Sequence, residues 1–238
     1  HNLWIIEDAC HAPGGYFIDS KSVKNFCGNG NYADIGVFSF HPVKHIACGE
    51  GGMLTTNSKE LYEKLILLRT HGITKENMEE NHGNWYYEMK ELGFNYRMSN
   101  ILAGIGRGQM EVLDTHIGYR RNMHQFYAEL FKDVPGITVF KESTNDYHSN
   151  HWLSCIVIDS TKTNLTPDSV REAFLEENIE SRPLWKPMHL QPVFNEAPYY
   201  GGTVAEELFE SGLCLPSGSN LTVADRDRIA KAFLKILK

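Results

Sequence analysis

The apolar positions of this chain fall in short clusters separated by turns, and their spacing changes along its length. Residues 3–6 (LWII) are a continuous apolar run, the pattern of a buried strand, and Glu7 and Asp8 close it. Residues 35–40 (IGVFSF) repeat the pattern with Ser39 near the end, and 53–56 predict a neighbouring strand. Between them, 20–33 are polar and glycine-bearing, which predicts a surface excursion. Ser58, followed by Leu61, Leu65, Leu67 and Leu68, predicts a capped helix that buries those leucines and stops near Gly72. Residues 74–85 are polar and predict a long loop of the kind that covers a site. Ser99 or Asn100 caps a further helix carrying Ile101, Leu102, Ile105, Met110 and Leu113. Its Gly104, Gly106 and Gly108 predict close helix packing, and helical spacing returns over 119–132.

Past Pro135-Gly136 the pattern becomes α+β. Strands are predicted at 137–140 and 152–158, and a helix from Thr166 to about Asn178 with Val170, Phe174 and Leu175 inward. An edge strand at 180–184, an aromatic and proline-rich irregular stretch at 185–202, a short helix at 205–211, a strand at 213–215 and an amphipathic helix at 223–237 complete the chain. The expected organisation is a mostly α/β part over 1–112 and a smaller α+β domain over 113–238.

Composition narrows the partners. The 238 residues carry 23 Lys+Arg against 30 Asp+Glu, a net charge of −7. That balance argues against a general nucleic-acid binder or a polybasic membrane surface, while leaving room for a local basic pocket. No apolar run is long enough to span a bilayer and the start does not resemble a signal peptide, so a cytoplasmic protein is expected. Cysteines 10, 27, 48, 155 and 214 are odd in number and scattered, as expected of reduced thiols. Among eleven His there is no H-E-x-x-H, and Pro42 between His41 and His45 spoils a helical ligand face, so no metal is expected. The chain starts at His1, directly ahead of a strand run, and reads as the C-terminal portion of a longer protein.

The candidate chemistry collects at strand ends. Asp8 and His11 follow the first strand; Ser39, His41 and Lys44 follow the next, beside the loop Gly49-Glu50-Gly51-Gly52. In open α/β sheets functional groups gather at such ends. Lys44 is either a surface lysine or an amine desolvated so that its pKa falls and it can attack a carbonyl. Asp8 is either a turn residue or a functional carboxylate, and His11 either a structural histidine or a second member of the strand-end constellation. Ser39 is a strand-end hydroxyl open to either reading. Arg182, Lys186 and His189, among aromatic residues, form either a basic surface patch or a binding face for a diphosphate.

EDACHAPGG, FSFHPVK and GEGGM resemble the DegT/DnrJ/EryC1/StrS family of sugar aminotransferases dependent on pyridoxal 5'-phosphate (PLP), and GFNYRMSNILAGIGRGQMEVLD and ESRPLWKPMHLQPVF continue the match, with LCLPSGSNLT. The resemblance covers nearly the whole chain. It implies the fold type I (aspartate aminotransferase-like) α/β architecture, with only part of the large domain present. It implies Lys44 as Schiff-base former and proton shuttle, and Asp8 against the pyridine nitrogen. It further implies His11 at the ring, Ser39 at the phosphate, and Asn95 reaching the phosphate of a partner subunit in a homodimer with shared sites. Some dehydratase relatives carry His where Lys44 stands, so Lys44 favours transamination. The implied reaction moves an amino group, from glutamate, to a keto nucleotide-sugar, with a UDP-4-keto-6-deoxy-N-acetylhexosamine as the finer expectation, for surface polysaccharide or glycan synthesis. A 3-keto sugar, a dehydration, or a non-catalytic binding protein with the same fold are the alternatives.

Overall fold

A computed structural model describes His1, residues 3–73 and residues 87–237. The loop expected over 74–85 therefore lies outside the described residues. The chain divides into two compact units, His1–Asp114 with Asp146–Ser149, and Thr115–Asn145 with Asn150–Lys238.

In the first unit β1 (Ile6–Asp8) runs parallel to β4 (Ile35–Ser39), pairing Ile6 with Ile35 and Asp8 with Val37. β5 (Gly52–Thr55) lies antiparallel on the other side of β4 and pairs Gly52 with Ser39, giving the order β1-β4-β5. Because β1 and β4 are parallel, Asp8 and Ser39 both stand at C-terminal strand ends, on one edge of the sheet. Gly52 is required there: a Cβ would lie 2.6 Å from the Phe38 carbonyl oxygen across the ladder.

A second sheet, β3-β2-β7, was not legible beforehand. Its strands are β2 (Tyr16–Ile18), β3 (Lys24–Phe26) and β7 (Tyr147–His148). Tyr16 stacks on His148 with centroids 4.5 Å apart, and the Lys24 ammonium sits 3.8 Å over the Tyr16 ring. The expected polar excursion thus contains a strand.

Helix α1 (Lys59–Arg69) starts where Ser58 Oγ accepts the Leu61 N–H, and α2 (Asn100–Glu111) where Ser99 Oγ accepts the Leu102 N–H. Two expectations of burial fail in this unit. The leucines of α1 are only half-buried. The run 3–6 is exposed, Trp4 at 75%, because β1 is a sheet edge with no described layer over it. The glycines of α2 divide: a Cβ at Gly106 would meet Cys48 Cβ at 3.7 Å, while Gly104 and Gly108 face nothing within 4 Å among the described residues.

The second unit has its own core. α3 (Leu113–Leu130), whose first two residues belong to the first unit, leads to an antiparallel sheet of order β6-β8-β10-β9. The strands are β6 (Ile137–Val139), β8 (Ser154–Ile158), β9 (Arg182–Pro183) and β10 (Gly212–Leu215). α4 (Pro167–Glu176) begins in a capping box of Thr166 and Ser169, and α6 (Val223–Ile236) in one of Thr222 and Asp225. Between them in sequence, α5 (Val204–Ser211) lies beside β8 and β10. Tyr127, Phe174, Phe233, Ile156, Leu213 and Val170 are fully buried together, each worth a few kcal/mol by truncation (roughly 3–5 for a buried aromatic). Leu175 departs from expectation and is 63% exposed, one residue beyond the buried stripe of α4.

Candidate active site

At the end of β1 the chain turns sharply. The Ala9 N–H donates to Val37 O (2.9 Å), and the Cys10 N–H donates to Asp8 Oδ1 (3.0 Å). This local turn fixes the Asp8 carboxylate at the strand end, since an Asx oxygen accepting two residues on replaces a backbone turn bond. The Cys10 thiol and N–H hold the Asp8 carboxyl below the usual carboxylate range, burial opposes them weakly, and the charges of His11 and Lys44 add to the lowering. Asp8 is therefore a carboxylate at neutral pH.

Lys44 comes from the loop after β4. Its N–H donates to His41 O (2.9 Å), Phe40 N–H to Gly51 O (2.9 Å) and Cys48 N–H to Phe40 O (3.1 Å), so the turn carrying Lys44 folds back on the strand end. Gly51 adopts φ +140°, where a side chain is strained, and a Cβ there would lie 2.5 Å from Met98 Cε. Burial lowers the Lys44 amine below its ordinary value, and Cys10 and Asp8 pull it partly back. His11 is lowered first by burial, then by the Lys44 charge, against Asp8. Asp8, Cys10, His11 and Lys44 thus form one electrostatic group. Ser39 stands on the adjacent strand end, where its Oγ accepts the His41 N–H at 3.4 Å. An amine below its ordinary pKa, a carboxylate and a strand-end hydroxyl suit carbonyl chemistry on a charged ring.

The remaining sequence candidates lie elsewhere. Asn95 is exposed beyond α1, its backbone bridged to Thr70, and its Oδ1 accepts from Arg97 Nε (3.2 Å). Arg182, Lys186 and His189 belong to the second unit. Arg182 Nε donates to Glu180 Oε1 (2.7 Å). His189 Nε2 lies 2.9 Å from Glu206 Oε1, and its ring stacks on Tyr199 at 3.9 Å. Lys186 is exposed and makes no ion pair with a described residue. Arg182 and His189 already face a carboxylate, so a diphosphate would have to exchange partners with Glu180 and Glu206. Cys10 was missed as part of the group; its place two residues after Asp8 was the available signal.

The profile of the DegT/DnrJ/EryC1/StrS aminotransferase family matches residues 1–234. EpsN of Bacillus subtilis is 36% identical over 236 residues, covering 98% of this chain and 56% of its own length. The GDP-perosamine synthase of Caulobacter vibrioides is 33% identical over 237 residues, covering 100% of this chain and 60% of that protein. Among solved structures, Helicobacter pylori PseC, an aminotransferase involved in the biosynthesis of pseudoaminic acid, superposes with a TM-score of 0.84 at 26% identity, over 100% of this chain and 60% of that one. The chain belongs to the DegT/DnrJ/EryC1/StrS aminotransferase family. It has the fold type I architecture of PLP-dependent transferases, and spans about 56–60% of the length of these relatives.

PLP is the cofactor that membership implies. The donor set fits it: an ionised Asp8 suits a protonated pyridine nitrogen, and a partly desolvated Lys44 amine suits its aldehyde.

Proposed function

We propose that the protein is a PLP-dependent aminotransferase that delivers an amino group from glutamate to the keto carbon of a nucleotide-linked sugar. The observation that supports this most is the Asp8–His11–Lys44 group at the shared edge of two parallel strands, in a chain that matches the family over its length. When bound, PLP supplies an electron sink for the carbanion that transamination must pass through. The chain's own residues do the rest. Lys44 Nζ would hold the cofactor and, as a free amine, would take a proton from the donor's Cα and return one to the sugar carbon. Its lowered pKa leaves a larger fraction as free amine, the form able to accept that proton. Asp8 keeps the ring nitrogen protonated, a role its own lowered pKa sustains into mildly acidic solution. His11 would hold the ring and Ser39 the phosphate. Asn95 serves a partner subunit's site in a homodimer, which is in keeping with its exposure.

Arg182, Lys186 and His189 receive the sugar's diphosphate, Lys186 first because its charge is uncompensated among the described residues. A UDP-4-keto-6-deoxy-N-acetylhexosamine is the substrate we assign, on the RPLWKPMHLQP and LCLPSGSNLT segments. A GDP-linked 4-keto sugar is the second reading, favoured by 33% identity to a GDP-perosamine synthase. The product serves glycan or surface polysaccharide synthesis in the cytoplasm; no described helix is long and apolar enough to cross a membrane.

The test incubates the purified protein with PLP, glutamate and UDP- or GDP-linked 4-keto-6-deoxy sugars, and follows 2-oxoglutarate and the aminated sugar. Turnover with the UDP sugar, absent in Lys44→Ala, is expected. Turnover with the GDP sugar alone would replace the assigned substrate. No amine formation from either, by protein that holds PLP, would sink the reading.

A further inference from the structure

The cofactor group uses one cysteine, yet the second unit carries two more in direct contact. Cys155 lies on β8 and Cys214 on β10, 59 positions apart in sequence, and they are register partners in the antiparallel ladder. Their Sγ atoms are 3.7 Å apart. No other cysteine pair is in contact among the described residues.

The kind of pair matters. The Cys155 carbonyl accepts from Phe140 N–H on the β6 side (2.9 Å), so its backbone groups point away from β10. Cys155 and Cys214 are therefore a non-hydrogen-bonded pair, the closer of the two antiparallel kinds, with Cα atoms about 4.5 Å apart. That falls within the roughly 4.4–6.8 Å over which a disulfide can bridge two residues. Alternation along β8 and β10 sends Ile156, Leu213 and Leu215 into the core, and both sulfurs to the opposite face. Cys214 is buried, but Cys155 is only partly so, which leaves a small oxidant a way in. The Cys155 thiol, hydrogen-bonded to Cys214, favours the thiolate at Cys214 over an isolated thiol in the same place.

We propose that Cys155 and Cys214 are a dithiol site that hydrogen peroxide oxidises to a cross-strand disulfide. One sulfur attacks a peroxide oxygen; the O–O bond breaks, water leaves with that thiol's proton, and a sulfenic acid remains. The second sulfur attacks it; the S–S bond forms, the S–O bond breaks, and the hydroxide leaves as water with the second thiol's proton. The two sulfurs give up two electrons, the peroxide takes them, and the chain loses two hydrogen atoms. The bond would tie β8 to β10 at the position where β10 also pairs with Arg182.

The folded protein is treated with a small excess of hydrogen peroxide, alkylated and digested without reductant. The expected product is a peptide pair joined through Cys155 and Cys214, with two fewer alkylated thiols, reversed by dithiothreitol. Cys155→Ser and Cys214→Ser each abolish it, and Cys27→Ser leaves it. Separate sulfinic acids at the two positions, a bond between chains, or full alkylation of both while Cys10 or Cys27 oxidises would overturn the proposal. If a serine variant does not fold, the wild-type peptide map alone decides.

Discussion

Acid should destabilise the second unit through His151. This imidazole is 7% exposed, stacks on His124 with centroids 3.7 Å apart, and places Nε2 3.1 Å from Glu142 Oε1. Burial lowers it most, His124 and Arg121 add to the lowering, and Glu142 opposes; the result falls from 6.5 to about 4. Above pH 6.5 the ring is neutral in both folded and unfolded chains and costs nothing. As the pH falls from 6.5 to about 4 the unfolded chain takes the proton and the folded one refuses it, so stability is lost across that window and levels off below it. At roughly 1.4 kcal/mol per pH unit the loss comes to about 3 kcal/mol, a large share of an ordinary domain's stability. The matching variant is His151→Asn: the position has φ +45°, which Asn tolerates better than other non-glycine residues. Urea unfolding followed by circular dichroism from pH 7.5 to 4 reads the slope. The variant is expected to be less stable at pH 7.5, through the lost Glu142 contact, and to have a flatter profile between pH 6.5 and 4. A variant whose profile parallels the wild type would refute the assignment to His151.

Three further outcomes follow from contacts already described. Tyr127→Phe removes the hydroxyl that donates to Pro216 O (2.8 Å) at a fully buried position, and should cost about 1–3 kcal/mol by urea denaturation at pH 7.5. Gly52→Ala sets a Cβ against the Phe38 carbonyl beside Ser39, and should cost about 1–3 kcal/mol while weakening PLP binding by titration. Lys186→Ala should leave the melting temperature nearly unchanged, as an exposed site does, and raise KM for the nucleotide-sugar with little change in kcat.

Local rules carried much of the fold. Ser58, Ser99 and Thr166 were readable as caps because a cap needs only its next three residues. Asp8 and Lys44 were readable as candidates for one place because each follows a strand; β1 and β4 do run parallel, and Asp8 and Lys44 feel each other's charge. What escaped depended on distant chain. β7 is two residues long and completes its sheet across more than a hundred positions, so no window contains the pairing. The Cys155–Cys214 contact arises only from register. The exposure of residues 3–6, Gly104 and Gly108 shows the converse: an apolar run or a small side chain does not by itself say that another element packs on it. The partner of His189 escaped because Glu206 is 17 positions away.

The central claim is that Lys44 carries the cofactor. The protein is equilibrated with PLP, its visible absorption recorded, then reduced with borohydride and mapped by mass spectrometry. A visible band absent from Lys44→Ala is expected, and after reduction a pyridoxyl group on Lys44. A pyridoxyl group on another lysine, with Lys44 unmodified, would contradict it.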